Sequence, residues 1–353
     1  MNILHIVGAR PNFMKAAPVI RALEADRHRQ TLVHTGQHYD FDMSDVFFRE
    51  LGLPPADLNL EVGSGSHARQ TAEVMLRMEP VLLERPPNLV MVYGDVNSTL
   101  AGALVCSKLG VRVAHVEAGL RSFDRTMPEE INRVLTDQVS DFLFTHSQEA
   151  GDNLQREGIA AGKVHLVGNV MIDTLVQLLP KASGCVPSGL PDRYVLVTLH
   201  RPGNVDDPIF ISQIFSVLNE FSRRIPVIFP MHPRTRQRIL REQIPSSLNG
   251  SFYLLDPLPY LSFLALQRRA FLVVTDSGGV QEETTFLGIP CLTVRENTER
   301  PVTVTLGTNT VVGRNTSRLV AEMEKVLSGQ QKQGQTPPLW DGHAAQRIAI
   351  VLR

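Results

Sequence analysis

Short apolar runs recur along this chain, separated by stretches of helical periodicity. In the first half they are NILHIV, TLVHTG (31–36), NLVMVYGD (88–95), VRVAHVEAG (111–119), DFLFTHS (141–147) and KVHLVGN (163–169). After residue 190 come RYVLVTLH (193–200), IPVIFPMH (225–232), SFYLLD (251–256), FLVVTDSGG (271–279), IPCLTV (289–294) and NTVVG (309–313). Val, Ile and Leu dominate these runs, with little polar alternation, as in strands buried on both faces of a parallel sheet. Helical segments such as STLAGALVCSKLG and SQEAGDNLQREG lie between most of them, so the pattern predicts repeated βα units. KASGCVPSGLPDR (181–193) combines Pro, Gly and Ser without an apolar period. It divides two sets of strands, which predicts two doubly wound, Rossmann-like α/β domains facing a central cleft. The expected division is residues 1–182, a linker at 183–193, and residues 194–353, with the last helix returning to the first domain.

The chain's 353 residues suffice for two ordinary domains. Lys plus Arg number 35 and Asp plus Glu 36, and no basic stripe or long charge run interrupts that balance, so nucleic acid is a poor expectation. Cys106, Cys185 and Cys291 are far apart, without a Cys-x-x-Cys, which fits a reducing compartment and argues against a thiolate zinc site. The start, MNILHIVGARP, reads as a first strand rather than a signal peptide, and no apolar run approaches membrane-spanning length. A cytoplasmic protein without metal or membrane partner is expected.

Unusual polar clusters gather at the carboxyl ends of predicted strands, where ligands of doubly wound sheets bind. They are Gly8-Ala9-Arg10, Gly94-Asp95, His115 with Glu117 and Gly119, His200-Arg201, His232 with Arg234, and Asp276-Ser277-Gly278-Gly279. Arg10 and Lys15 flank the loop where the first strand meets a helix expected to begin near Lys15. They are either ordinary soluble flanking residues or cations for an anion. In TDSGGVQEETTFLG, glycines at a helix start suit a phosphate, and a carboxylate one turn on suits a ribose diol. The alternative is a Ser277 cap with acids offsetting the helix dipole. Glu129 and Glu130 follow Pro128 at another helix start and admit the same two readings. Asp95 and Glu117 directly follow apolar runs, so burial without a task or partner would be costly. Asp95 capping the next helix and Glu117 pairing with Arg121 are the structural alternatives. His5, His34 and His115 read as structural or cleft-lining, and no histidine grouping has metal-ligand spacing.

Assembled in order, GARPNFMKAAP, GQH, GDVNSTLA, HVEAGLRS, MPEEINR, VGNVMID, TLHRPGN, HPR, TDSGGVQEE and TERP make the chain similar to the non-hydrolysing UDP-N-acetylglucosamine 2-epimerases, over essentially its whole length. The resemblance implies the two-domain glycosyltransferase B-type fold, no cofactor, no metal, and a homodimer formed through the N-terminal domain. It also implies the reaction: anti elimination of UDP to 2-acetamidoglucal, then re-addition of UDP with protonation of C2 from the opposite face. By motif, Asp95, Glu117, Glu129 and His200 match the catalytic groups. Arg10 and Lys15 match cleft cations that meet the diphosphate or sugar. Ser277, Gly278, Gly279 and Glu283 match phosphate and ribose contacts, Arg300 a further UDP contact, and Phe263 an apolar residue near the uracil. Such a reaction needs an acid or base on each face of C2 and cations beside the leaving diphosphate.

The chain departs from the family pattern at Asn12, where Glu is frequent, at Pro202-Gly203-Asn204, where Arg-Glu-Asn is frequent, and in GQHYDFDM. These departures bear on activation by a second substrate molecule and on the sugar, so a UDP-2,3-diacetamido sugar is the alternative substrate. A glycosyltransferase of the same fold would keep TDSGG and Glu283 but has no need of Asp95, Glu117 and Glu129 together. A non-catalytic binder should have lost at least one of them. A hydrolysing enzyme would differ in how well water is excluded.

Overall fold

A computed structural model describes residues 1–37, 50–241, 248 and 251–353. The described chain forms two compact units, Met1–Gln177 with Pro338–Arg353, and Leu178–Pro337.

The first unit holds strands β1 (Asn2–Val7), β2 (Arg29–His34), β3 (Leu58–Asn59), β4 (Leu89–Tyr93), β5 (Val113–Ala118), β6 (Phe142–Thr145) and β7 (Val164–Leu166). Its helices are α1 (Arg10–Glu24), α2 (His67–Glu84), α3 (Asn97–Lys108), α4 (Pro128–Val139) and α5 (Gln148–Arg156). Helix α6 (Val170–Ala182) starts in the first unit and ends in the second. The strands form one parallel sheet in the order β3-β2-β1-β4-β5-β6-β7. Leu4, Ile6, Val33, Val90, Val92 and Val113 pack with Met78, Leu82 and Ala103 of the covering helices. The two-residue β3 gives no apolar run and was not anticipated from the sequence.

The second unit contains β8 (Val195–Thr198), β9 (Val227–Pro230), β10 (Phe252–Leu255), β11 (Leu272–Thr275), β12 (Cys291–Thr293) and β13 (Asn309–Val311). Its helices are α7 (Pro202–Val205), α8 (Pro208–Phe221), α9 (Pro233–Arg241), α10 (Tyr260–Arg269), α11 (Gly278–Leu287), α12 (Pro301–Thr305) and α13 (Thr316–Leu327). Its parallel sheet runs β10-β9-β8-β11-β12-β13. Both sheets therefore wind outwards in both directions from a central pair, β1 with β4 and β8 with β11. At such a switch point the two adjacent strand-to-helix loops diverge and leave a crevice.

The division between units falls inside α6 rather than in 183–193. Its first half belongs to unit one because Val170, Ile172 and Leu175 are buried and Thr174 Oγ1 donates to Met14 O (2.6 Å). The chain's last helix, α14 (Ala344–Val351), packs on α1. Asp173 fixes it there by accepting from the Ala344 and Ala345 amides (3.1 and 2.7 Å), while the buried Trp340 Nε1 donates to His146 O (2.9 Å). Among the described residues no helix is long and apolar enough to cross a membrane.

Candidate active site

The first crevice opens beyond β1 and β4. Helix α1 begins at Arg10 rather than near Lys15, because Pro11 suits the first turn and Asn12 closes it. Asn12 Oδ1 accepts from the Gly8 and Ala9 amides (3.0 and 3.1 Å), and its Nδ2 donates to Tyr93 O (2.7 Å). A glutamate at position 12 could not make that last donation, so the departure from the family pattern serves to join the loop after β1 to the end of β4. Gly8 has no room for a side chain: a Cβ there would overlap Ser98 and lie 2.6 Å from Thr35 Oγ1. Arg10 is exposed at the helix start, while Lys15, one and a half turns on, is buried.

Lys15 Nζ donates to Glu117 Oε1 at 2.6 Å, with both side chains about 95% buried (5% and 3% exposed). Arg121 is not the partner of Glu117: it pairs instead with Asp137 (2.8 Å) and bidentately with Glu157 (2.7 and 2.6 Å). The reason is backbone geometry. The register of β5 against β6 slips between Val116 and Ala118, and Glu117 there has φ +75°, a left-handed conformation rare outside glycine. The irregularity re-aims the Glu117 side chain towards α1. Holding a non-glycine residue there costs about 1–3 kcal/mol, and such strain concentrates at functional positions.

Asp95 does not cap α3, whose N-cap is Val96 without a side-chain bond. Its carboxylate pairs with Arg133, a buried guanidinium that also binds Glu130 (2.6 Å). Asn132 Nδ2 donates to Asp95 O (2.8 Å), so the INR of α4 holds Asp95 through both backbone and side chain. The two acids opening α4 differ. Glu130 is buried and accepts from Ser122 N, Ser122 Oγ and Phe123 N as well as Arg133. Burial pushes its carboxyl upward, but these donors outweigh that and hold it below the usual range. Glu129 is half-buried and makes no hydrogen bond or ion pair among the described residues. Residues 38–43 of the GQHYDFDM motif lie outside the described residues. Within it, Gln37 Oε1 accepts from Ser98 Oγ (2.7 Å).

The second crevice opens beyond β8 and β11 and is organised by Asp276. This fully buried carboxylate accepts from His200 N (3.1 Å), Arg201 N (2.9 Å) and Asn204 Nδ2 (3.1 Å), and lies 3.1 Å from His200 Nδ1. Burial works against its charge, but His200, the Arg201 amide and Asn204 prevail and keep it below the usual carboxylate range. Nδ1–H of His200 is directed at Asp276, and the His200 side chain is 37% exposed. The His232 ring lies 5.7 Å away.

Helix α11 starts at Gly278 with Ser277 as N-cap, but the Ser277 side chain makes no capping bond, which leaves the capping alternative without support. A Cβ on Gly278 would come within 2.5 Å of Arg300 Nη1. Arg300 is buried against Glu299 and Glu282 (3.0 Å to the latter), and Glu299 also meets Arg295 (2.7 Å) and, at 3.8 Å, Arg201. Despite burial, these arginines hold Glu299 well below the carboxylate range. The cluster sets the guanidinium groups of Arg201, Arg295 and Arg300 around Glu299 and Glu282 beside the glycine turn. Glu283, on the buried side of α11, accepts from Tyr260 Oη (2.8 Å). Phe263, one turn after Tyr260 on α10, packs part-buried on the Tyr194–Leu196 cluster. Gly279 occupies the first turn of α11.

The expected site residues thus fall into two sets. Arg10, Lys15, Asp95, Glu117 and Glu129 belong to the first unit, and His200, Phe263, Ser277, Gly278, Gly279, Glu283 and Arg300 to the second. Sequence reasoning missed the residues that hold them, chiefly Arg133, Asn204 and Tyr260. Among the described residues no His, Cys, Asp and Glu grouping could hold a metal ion.

Two Rossmann-like units, one with carboxylates and a buried lysine at its switch point and the other with a glycine turn, a His–Asp pair and an arginine cluster, define a two-domain α/β enzyme of the nucleotide-sugar type. The chain belongs to the UDP-N-acetylglucosamine 2-epimerase family, whose model matches residues 21–353. A UDP-N-acetylglucosamine 2-epimerase of Methanocaldococcus jannaschii is 43% identical, covering 100% of this chain and 99% of the relative. The crystal structure of the M. jannaschii enzyme in complex with UDP-GlcNAc and UDP matches with a TM-score of 0.90 over 100% of this chain and 99% of that one. A UDP-2,3-diacetamido-2,3-dideoxy-D-glucuronate 2-epimerase of Pseudomonas aeruginosa is 44% identical over 100% of this chain and 99% of its own length.

Proposed function

We propose that the protein interconverts UDP-N-acetylglucosamine and UDP-N-acetylmannosamine by elimination and re-addition of UDP. A base takes the C2 proton, its electron pair forms the C1=C2 bond of 2-acetamidoglucal, and the C1–O bond breaks with its pair leaving on UDP. UDP then returns to C1 as C2 accepts a proton on the other face, so the conversion is redox-neutral and needs no second reactant. The observation that carries this reading is the Lys15–Glu117 pair on strained backbone beside the Gly94–Asp95 turn. It concentrates proton-transfer groups and a cation at one strand end, more than a glycosyltransferase needs.

In this reading Asp95, Glu117, Glu129 and His200 move protons, and Arg10 and Lys15 offset the charge of the departing diphosphate. Ser277, Gly278, Gly279 and Arg300 meet the phosphates, Glu283 the ribose, and Phe263 lies near the uracil. Dimer formation through the first unit and a cytoplasmic location are part of the proposal. The test is proton NMR with UDP-N-acetylglucosamine in deuterated buffer, which should show deuterium entering C2 as the manno epimer grows. Free N-acetylmannosamine with UDP would indicate the hydrolysing reaction, and an unchanged spectrum would refute this substrate.

The second reading is the same chemistry on a UDP-2,3-diacetamido sugar or its uronic acid. It is favoured by the similarity to the Pseudomonas enzyme, 44% identical against 43% for the archaeal one. Competition between the two substrates in the same NMR assay decides it.

A further inference from the structure

A histidine in the middle of an apolar strand is the least expected residue of β5, and the proton exchange proposed above does not use it. His115 is fully buried. Its Nε2 lies 2.7 Å from Gly94 O and its Nδ1 2.6 Å from Asp137 Oδ1. From this geometry we propose that His115 is a buried imidazolium, protonated on both ring nitrogens, that acts as a positioning residue for Asp95.

A backbone carbonyl only accepts, so Nε2 must donate to Gly94 O. Nδ1 faces Asp137, whose other oxygen already accepts from Gly119 N (3.1 Å) and from Arg121 Nη1 (2.8 Å). Arg121 is a permanent cation and, with the Gly119 amide, donates to that oxygen, so Asp137 is held as a carboxylate and accepts only, independently of the state of His115. A bare Nδ1 would set a lone pair against a carboxylate oxygen at hydrogen-bond distance, which is repulsive. Both nitrogens therefore donate.

The charge is compensated along a chain. Glu157 and Asp137 are the anions, Arg121 and His115 the cations, and the sequence Glu157–Arg121–Asp137–His115 ends on the Gly94 carbonyl. Alternation of sign makes a buried imidazolium tolerable, since each charge has an opposite neighbour and its polar atoms are satisfied.

The target of this chain is the turn carrying Asp95. Gly94 has φ +62°, its N–H donates to Val116 O (3.0 Å), and its carbonyl takes the charge-assisted bond from His115. A Cβ at Gly94 would lie 2.6 Å from Lys15 Nζ and 3.5 Å from Glu117 Oε1, so the turn rests directly against that pair. His115 thus fixes the Gly94–Asp95 peptide relative to Lys15 and Glu117, while Asn132 and Arg133 hold Asp95 from the other side.

The protonation state can be read without turnover, whereas the consequence for rate rests on the proposed role of Asp95. The full-length protein, labelled with nitrogen-15 in its histidine rings, is examined by long-range proton–nitrogen correlation NMR in neutral buffer, with His115→Gln used to assign the signal. Both ring nitrogens of His115 should appear in the protonated range, and one bare nitrogen overturns the proposal. Asp137→Asn should strip the proton from Nδ1 in the same spectrum. It should also lower kcat on UDP-N-acetylglucosamine by about a hundredfold, the order expected for a catalytic group misplaced by about 1 Å, with UDP affinity by calorimetry unchanged. A kcat near wild type with Nδ1 deprotonated would overturn the positioning role. Should Asp137→Asn not fold, Glu157→Gln at the outer end of the chain supplies the rate test: a smaller kcat loss at constant UDP affinity supports the proposal, and an unaltered kcat opposes it. If the wild-type protein turns over no UDP-sugar while His115 shows two protonated nitrogens, the functional reading has failed and the imidazolium has not.

Discussion

Replacing Asp276 by Asn changes one atom and tests how His200 acts. The carboxylate serves His200 N, His200 Nδ1, Arg201 N and Asn204 Nδ2. An asparagine has one acceptor and one donor group. If its oxygen stays with the Arg201 amide (2.9 Å) and Asn204 (3.1 Å), its NH2 faces His200 Nδ1. The imidazole must then accept on Nδ1 and carry its proton on Nε2, so that Nε2 could no longer take a proton as the proposed role requires. Loss of a correctly protonated general acid or base lowers kcat by about 10²–10⁴-fold. That corresponds to about 3–5 kcal/mol of transition-state stabilisation. The folded state loses charge-assisted hydrogen bonds worth about 1.5–3 kcal/mol each, so the folded state of the variant has to be verified. The assay is kcat and KM from NMR time courses of epimer formation, with UDP affinity by calorimetry and the melting temperature as controls. A folded Asp276→Asn protein with kcat within about twofold of wild type would refute the assignment of His200 Nε2 as a proton-transfer atom.

Other perturbations probe the remaining parts. Asp95→Asn and Glu117→Gln should each abolish deuterium exchange at C2 while UDP still binds, and near-normal exchange in both would remove these groups from the reaction. Ser277→Ala combined with Glu283→Ala should weaken UDP binding in calorimetry, since the change takes away both a group at the α11 start and the acceptor of Tyr260. Gly8→Ala should destabilise the first unit by about 1–3 kcal/mol through the overlap with Ser98 and Thr35, read as a lowered denaturation midpoint. Burial lowers His5 from 6.5 to about 4, with Gln30 only partly opposing the shift. Its contribution is therefore fully present above pH 6.5 and is lost as the pH falls towards 4, by about 3 kcal/mol, and His5→Gln should flatten that limb of the stability curve.

The doubly wound architecture was legible because each strand is a short Val- and Ile-rich run bounded by a polar turn, and because the polar residues fell at one end of those runs. Only β3, too short to carry a pattern, escaped. Side-chain partners were not legible, because they depend on backbone direction at single residues. Glu117 meets Lys15 rather than Arg121 through the irregularity at Val116–Ala118, which nothing in HVEAGLR signals. The roles of Glu129 and Glu130 are indistinguishable in PEEINR, yet one helical step turns Glu130 onto the Ser122–Phe123 amides and leaves Glu129 half-buried without a bond among the described residues. Arg133 was within reach of inference, standing one turn after Glu130 on the same face of α4.

The abundance of carboxylates around the two switch points raises the question of which could take a proton from carbon. Glu130, Asp137, Asp276 and Glu299 are each buried, which by itself would favour the neutral acid, yet each is held below the carboxylate range by arginine, histidine or amide donors. A carboxylate satisfied in this way is a weak base, because protonation would forfeit the bonds that stabilise its charge. These four therefore orient neighbours: Asp276 the His200 ring, Asp137 the His115 ring, Glu130 the Ser122–Phe123 loop, and Glu299 the arginines beside Gly278. In the proposed reaction, proton transfer would fall to groups that the donor networks do not saturate. Among the described residues Glu129 makes no hydrogen bond or ion pair, and His200 has only its Nδ1 committed to Asp276. Glu117 is different, since its strained backbone is maintained by the sheet around it and its lysine partner could turn to a departing diphosphate. In the proposed reaction such a transfer would raise the basicity of Glu117 as negative charge builds on the leaving group, and so would couple the proton removed at C2 to the bond broken at C1.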